Sequence, residues 1–477
     1  MLASLPPISL FQNFQGRTGT PHLMSESLHP SPTILIDNLP AKTLVGVDLL
    51  AFASAPNFHG IKELPIGVHI LYTGTTDSFS LRSGEWLVVP DPNEGGQNGS
   101  GIDVRLRHWD ESVEALALVD ESKDEGRQRA MQQRANLSQI WASGGLLAYR
   151  SRTTKKSDND SRQESAPAYG EWNNLSNYIT PSVLERILGR AELDSEGRSR
   201  WMITSGSSAA RDDDEIPGLA DKDDSKMSGK LIEEEKELRF LPVDLKNTWP
   251  AGAVGRERTE AARDRSWALG HICEWASNNT RAVGRVINDE SLSEGEAQIL
   301  GELQITFLTA LTLINFSCQE QWKRLLHLIF TCQTAVGERQ YFFIEVLRLL
   351  RLQLAHNDDV EGGLLEMDGD DGSTVVKNIL TKFRRTIYDD LSIDVPTVKA
   401  KFTKLETWVK DEYGWELAKE STVRRGMLEL EDGEQVELEI NGAEEEDETG
   451  DYAPVIVDLG EAGGEEVEDV DMMDNHK

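Results

Sequence analysis

Three cysteines in 477 residues, Cys273, Cys318 and Cys332, are too few and too scattered for a disulfide framework or a Cys-x-x-Cys metal site. So sparse a set suits a reducing compartment. Basic residues are also scarce: 49 Lys and Arg face 83 Asp and Glu, a formal net charge of −34. Such a field repels nucleic-acid phosphates and favours a basic protein partner, so no direct nucleic-acid role is expected. No long uninterrupted apolar run is present. The longest, Ile299 to Phe316, contains Glu302, Gln304 and Asn315 and reads as a buried amphipathic helix rather than a membrane span. Pro6, Pro7 and Gln12 interrupt the apolar N-terminal patches and no basic region precedes them, so no secretory signal is expected.

Signatures of catalysis and of cofactor binding are missing as well. Gly95 to Gly101 is glycine-rich but lacks the Gly-Lys-Ser/Thr that a phosphate loop needs, and reads as a flexible hairpin insertion. Asp368-Gly369-Asp370-Asp371-Gly372 lacks the ligand spacing and terminal Glu of a calcium loop. One turn of helix would splay His271, Cys273 and Glu274 around its circumference, with no second cluster to complete a zinc site. No Gly-x-Ser-x-Gly or His-Glu-x-x-His word occurs. The expectation is a protein without enzymatic activity, cofactor or metal.

What is present is a folded chain, 38 % hydrophobic, long enough for two cores. Residues 1–30, rich in Ser, Pro and His, are expected to be a disordered leader. Short strand words then recur: Thr33 to Ile36, Leu44 to Asp48, Gly67 to Tyr72, Trp86 to Val89 and Val104 to Arg107. Their spacing predicts a mostly antiparallel, sandwich-like β domain over 31–190. In the fifth word Val104 and Leu106 are expected to face the core, with Arg105 and Arg107 facing water. Helices around Asp120 to Leu137 and Thr180 to Leu188 are expected to close this unit, with Thr180-Pro181 as a helix start. Residues 191–230, dominated by Ser, Asp, Gly and Lys, read as a flexible linker on which Trp201 is the one large apolar anchor.

From 231 to 428 the period is helical. Leu300, Leu303, Phe307 and Leu311 fall three or four apart, as do Trp322, Leu325, Leu326 and Ile329, and later stripes repeat the pattern. Five or six packed helices are predicted, with Leu303, Phe307, Trp322 and Leu326 in their core. Lys382, Arg384, Arg385, Lys399, Lys401, Lys404 and Lys410 form a basic stretch that suits either a solvated face or a contact with acidic groups. The last part, 429–477, is an acidic tail with twenty Asp and Glu against one Lys. Embedded in it is the strand former Pro454-Val455-Ile456-Val457-Asp458-Leu459, too short to bury itself alone. Two roles fit it: a tethered strand that docks on a partner, or the last edge strand of the chain's own sheet.

Three separated passages carry a resemblance. They are Pro32 to Ile36 with Phe58-His59-Gly60-Ile61-Lys62-Glu63-Leu64-Pro65-Ile66-Gly67-Val68-His69; Leu300-Gly301-Glu302-Leu303-Gln304-Ile305-Thr306-Phe307 leading to Gln321-Trp322-Lys323-Arg324-Leu325-Leu326; and Ala453 to Leu459. In this order, with Trp172 to Ile187 and Glu237 to Phe240 between them, they resemble the A1-alpha2-repression splicing-factor family. The resemblance implies an α+β protein with a β-rich N-terminal domain, an all-helical VHS-like C-terminal domain and a docking strand in the tail. It further implies a chaperone of U5 small nuclear ribonucleoprotein (snRNP) assembly, cytoplasmic and nuclear. Such a protein binds the RNase-H-like and MPN-type domains of the largest U5 scaffold protein, excludes the U4/U6-unwinding helicase and is released through phosphorylation. The alternative from composition alone is a general acidic chaperone for basic nuclear proteins.

Overall fold

The computed structural model describes residues 32–75, 81–91, 103–149, 169–212, 237–280, 291–359, 363–365, 372–389, 394–418, 424–429 and 435–440. The expected leader, the glycine-rich insertion at 95–101, the acidic residues Asp368, Asp370 and Asp371 and the strand Pro454 to Leu459 lie outside them.

The N-terminal half opens with β1 (Thr33–Asp37), β2 (Leu44–Val47), β3 (Leu50–Ala53), β4 (Gly60–Lys62), β5 (Gly67–Gly74), β6 (Arg82–Val89), β7 (Val104–Asp110) and β8 (Ala115–Leu118). Then come α1 (Asp124–Ala142), β9 (Leu146–Ala148), α2 (Tyr169–Ser176), α3 (Pro181–Leu188), β10 (Glu192–Leu193) and β11 (Ser199–Thr204). Two sheets result, a five-stranded one ordered β8-β7-β1-β4-β9 and a six-stranded one ordered β10-β11-β6-β5-β2-β3. The six-stranded sheet is antiparallel throughout, whereas β1 runs parallel to β7 and β4 parallel to β9 in the other.

Strand periodicity sorts the residues into layers. Ile34 and Ile36 pack with Val45, Leu71, Leu87 and Val89 between the sheets. The alternate residues Leu35, Val104 and Leu106 pack under α1 with Ala130. On the far face of the six-stranded sheet, Ile70, Tyr72 and Trp86 join a core that continues through α2 and α3 into the helices beyond. Both faces of both sheets are therefore covered, and this overturns one expectation. Arg105 and Arg107 do not face water; they are each 2 % exposed, inside the sandwich. The alternation along β7 holds, but it separates two buried faces rather than a dry one from a wet one.

The linker expected over 191–230 also needs correction. Its first part is sheet: β11 pairs antiparallel with β6, Trp201 opposite Trp86, and Trp201 and Ile203 are buried. Polar composition misled because the Ser, Asp and Gly residues flank a strand whose inward side chains are Trp and Ile.

Beyond residue 250 come α4 (Arg256–Arg263), α5 (Ser266–Asn279), α6 (Glu294–Leu313), α7 (Phe316–Phe330), α8 (Thr334–Glu338), α9 (Gln340–Leu354), α10 (Gly372–Asp389) and α11 (Pro396–Tyr413). An antiparallel hairpin of β12 (Arg424–Glu429) and β13 (Gln435–Ile440) follows, straddling the expected boundary at 428. The architecture is α+β, a β-sheet region followed by a helical one, with eight α-helices after residue 250 among the described residues rather than five or six. Helix α6 is the hub. Ser293 and Glu296 form a reciprocal capping box at its start, and every residue from Gly295 to Leu313 is buried. The helix expected to be buried over Ile299 to Phe316 is enclosed all round between Gly295 and Leu313. Gly301 explains how closely its neighbours approach, since a β-carbon there would come within 2.6 Å of the Tyr178 carbonyl oxygen.

Phe307 and Trp322 meet in the core with ring centroids 5.7 Å apart. Phe307→Ala should cost about 3–5 kcal/mol of stability. Chemical denaturation would read this as a lowered midpoint, and an unchanged midpoint would contradict the placement.

Candidate functional site

Of the residues the sequence singles out, Leu303, Phe307, Trp322 and Leu326 sit together in the helical core. The Trp322 indole N–H donates to the Gln353 side chain at 3.0 Å. None of the four lines the cleft described below. The docking-strand residues Pro454, Val455, Ile456, Val457, Asp458 and Leu459 lie outside the described residues.

Sequence reasoning missed the polar groups that join the sheet layer to α6 and α7. Glu302, fully buried on α6, accepts from Arg186 Nη1 at 2.5 Å, from Gln321 Nε2 at 2.6 Å and from the Leu241 amide at 3.0 Å. Arg186 belongs to α3, Gln321 to α7 and Leu241 to the extended chain ahead of α4, so one carboxylate ties three segments. Two residues on, Gln304 accepts from the Tyr178 amide at 2.8 Å and donates to Asn177 Oδ1 at 2.7 Å. Asn315 caps α7 by accepting from the Cys318 amide at 2.8 Å, and its amide group donates to the carbonyls of Thr204, the last residue of β11, and of Ser207. Asp212, with no exposed surface, accepts from Ser317 and is 2.7 Å from Arg324. The available signal was Glu302 and Gln304 inside an otherwise apolar run, which requires internal partners.

A second polar group occupies the sandwich. Arg107 Nε donates to Glu85 at 2.8 Å and Arg200 Nη1 to the same carboxylate at 2.9 Å, linking β7, β6 and β11. Arg105 donates to the Val88 carbonyl at 2.7 Å. Nearby, His69 Nδ1 lies 2.8 Å from Asp48 Oδ2 and Nε2 lies 2.9 Å from the Pro65 carbonyl. The Pro65 carbonyl can only accept, so Nε2 carries a proton, and the Asp48 carboxylate beside Nδ1 favours the charged, doubly protonated ring. Burial opposes that charge and Arg105 repels it, but the Asp48 carboxylate and the Pro65 carbonyl outweigh them, and the His69 pKa is raised above its ordinary value. Asp48 also accepts from the Tyr149 hydroxyl at 2.5 Å and from the Ile70 amide at 3.0 Å.

These clusters are absorbed in packing, with partners on several elements. The described cleft, about 370 Å³, lies between the start of α6 and the α8–α9 turn, lined by Glu296, Arg339, Gln340 and Tyr341 among others. An Arg339–Glu296 ion pair at 2.6 Å crosses it. Ser291 and Glu338 complete its polar lining. The three thiols are buried, and burial pushes Cys273 up to about 12 and raises Cys318 and Cys332 too, so none is an activated nucleophile. His271 stacks on the exposed Trp267 at 5.2 Å on the surface of α5, while Cys273 points inward. Among the described residues no group of three or more His, Cys, Asp or Glu could hold a metal ion, and no helix is long and apolar enough to cross a membrane.

Shape and sequence together define a two-part α+β protein in which sheet layer and helices share one core. The AAR2 N-terminal domain matches residues 30–189 and the AAR2 C-terminal repeat region matches residues 240–418. The chain belongs to the AAR2 family. Among its relatives is a mouse Protein AAR2 homolog, 24 % identical over 418 residues, covering 84 % of this chain and 94 % of the relative. The human Protein AAR2 homolog is 23 % identical over 419 residues with the same coverage. The A1 cistron-splicing factor AAR2 of Saccharomyces cerevisiae is 21 % identical over 311 residues, 63 % of this chain and 71 % of the relative.

The raised His69 pKa has a pH signature. Its contribution to stability is fully present below the unfolded-state value near 6.5 and is lost as pH rises through the higher folded-state value. The thermal midpoint of the unaltered chain should therefore fall across that window relative to His69→Gln. An equal slope in the variant would show that His69 is not the group titrating.

Proposed function

We propose that this chain acts in pre-mRNA splicing as a non-enzymatic assembly factor for the U5 snRNP. Its partner is the largest U5 scaffold protein, engaged through the RNase-H-like and MPN-type domains. The observation that carries the reading is the match to both family segments, in order, on either side of one shared core. Supporting it, the buried charges described above are consumed in holding the sheet layer to the helices. What remains for function is a rigid surface and an acidic tail. The yeast relative's name, A1 cistron-splicing factor, points to the same process.

In this reading Pro454 to Leu459 adds as a strand to a sheet of the scaffold. Six residues at about 3.3 Å each reach about 20 Å, enough to pair several backbone groups, while alternate side chains set the register. The flanking acids discourage pairing between copies of the strand. Ile456→Pro removes a backbone donor and should weaken binding, whereas Ile456→Val should largely preserve it. Hydrogen–deuterium exchange on adding the scaffold's C-terminal region should protect this segment. If it does not, and deletion beyond Asp451 leaves the affinity unchanged, the docking strand is wrong. Loss of all scaffold binding at both low and moderate salt would overturn the assembly role itself.

The general acidic chaperone is distinguished by salt. It would bind many basic proteins and release them as ionic strength rises. The scaffold reading predicts one dominant partner and exclusion of the U4/U6-unwinding helicase from the preformed complex at salt that suppresses nonspecific attraction. Mass photometry reads this directly, and a stable ternary complex of chain, scaffold and helicase would rule exclusion out.

A further inference from the structure

Helices α10 and α11 invert the charge of the chain. Along α10 the residues Lys377, Thr381, Arg384 and Tyr388 recur at steps of four and three, and along α11 Lys399, Thr403, Glu406 and Lys410 do the same. Each set is one stripe of its helix. The stripes meet side by side. Arg384 Nε is 2.8 Å from Glu406 Oε1, and the Tyr388 hydroxyl is 2.7 Å from Thr403 Oγ1. Arg384 and Lys399 both lie over the Tyr388 ring, at 5.2 and 5.9 Å. Residue 384 opposite 406 and residue 388 opposite 403 make the stripes antiparallel, which brings Lys410 and Lys377 toward the same end.

The resulting seam carries four cations and one acid, and Arg384 already engages that acid. Lys377, Arg385 and Lys410 are exposed and hold no ion pair among the described residues. A cationic seam in a chain of net charge −34 is complementary to an occupant rich in carboxylates. The chain supplies one. Residues 441–477 contain fourteen Asp and Glu against one Lys, opening with the unbroken run Glu444-Glu445-Glu446-Asp447-Glu448.

We propose that the acidic segment 441–477 of this chain lies across the α10–α11 seam, with Glu444 to Glu448 against Lys377, Lys399 and Lys410. Lengths agree. The α10 stripe from 377 to 388 rises about 17 Å, and five extended residues span about the same. A single exposed ion pair holds little, but a tethered segment faces its site at an effective concentration of about millimolar, so weak pairing suffices to fill it. The contact is internal to the chain and does not depend on the scaffold reading. Its consequence is that the tail has two places to be, and that filling the seam competes with any acidic ligand from outside.

Zero-length carbodiimide coupling of the full chain, read by peptide mass spectrometry of the monomer band, tests this. Coupling from Glu444 to Glu448 should reach Lys377, Lys399 and Lys410 several-fold more often than the exposed Lys42, Lys123 and Lys246. It should be lost at about 0.5 M salt. The doubly reversed variant Lys377→Glu with Lys410→Glu alters only exposed side chains. It should keep the thermal midpoint of the parent while coupling to Lys399 falls several-fold. Coupling spread evenly over all exposed lysines, or unchanged in the reversed variant, would overturn the proposal. A mixture of light and nitrogen-15 chains adds a further check: coupling found only between chains would make a second copy the occupant and would equally overturn it.

Discussion

The fold depends on one buried carboxylate. Glu302 sits in the middle of a helix with no wet side, where an unpaired charge would cost several kcal/mol. It is tolerable only because Arg186, Gln321 and the Leu241 amide all reach it at once. Those three donors come from three segments, so none can dock wrongly without stranding the charge. Apolar burial supplies the bulk of the attraction between sheet layer and helices, but it is indifferent to register. Glu302, with Gln304 two residues on, converts a greasy contact into a single arrangement. This explains why the core runs without a break from Trp86 and Trp172 to Phe307: the two family segments fold as one body.

The same network explains why the family words were legible before any coordinates. Leu300-Gly301-Glu302-Leu303-Gln304 reads as a helix by period alone, but each position has its own constraint. Leu300 and Leu303 fill the core, Gly301 admits the Tyr178 carbonyl, and Glu302 and Gln304 hold α3 and the turn before it. In the second word Gln321 reaches Glu302, Trp322 reaches Gln353, and Arg324 reaches Asp212. In the first, Gly60 takes φ of +143°, and a β-carbon there would lie 1.9 Å from the Ile34 carbonyl oxygen. His69 closes that word by returning to Pro65. The words are specific because nearly every letter has a partner.

What sequence alone could not show follows from the number of layers. Alternation on β7 fixed which residues share a face but not whether the second face is wet, and the charge on Arg105 and Arg107 argued wrongly for water. Glu85 on β6 was the counter-signal, a carboxylate among Trp and Val that needs a cation across the sheet gap. The strand at 199–204 was hidden for a similar reason: composition averaged over forty residues drowned a six-residue strand whose inward positions are Trp201 and Ile203. Likewise the basic stretch at 382–410 was visible as a list of cations. Its division into a seam, with Arg384 neutralised by Glu406 and Lys410 left exposed, needed the antiparallel placement of two helices.

Partition of charge between body and tail has a physical consequence for partner choice. Inside the body, Glu85 is held by Arg107 and Arg200 and Glu302 by Arg186, so these buried carboxylates are unavailable to a partner. The tail carries acids in excess and, among them, six residues able to pair as a strand. In the proposed reading, an approaching partner would meet a long-range field that does not discriminate finely and then a short strand whose backbone pairing does, and any cationic surface within reach of residues 441–477, the chain's own included, would compete for them.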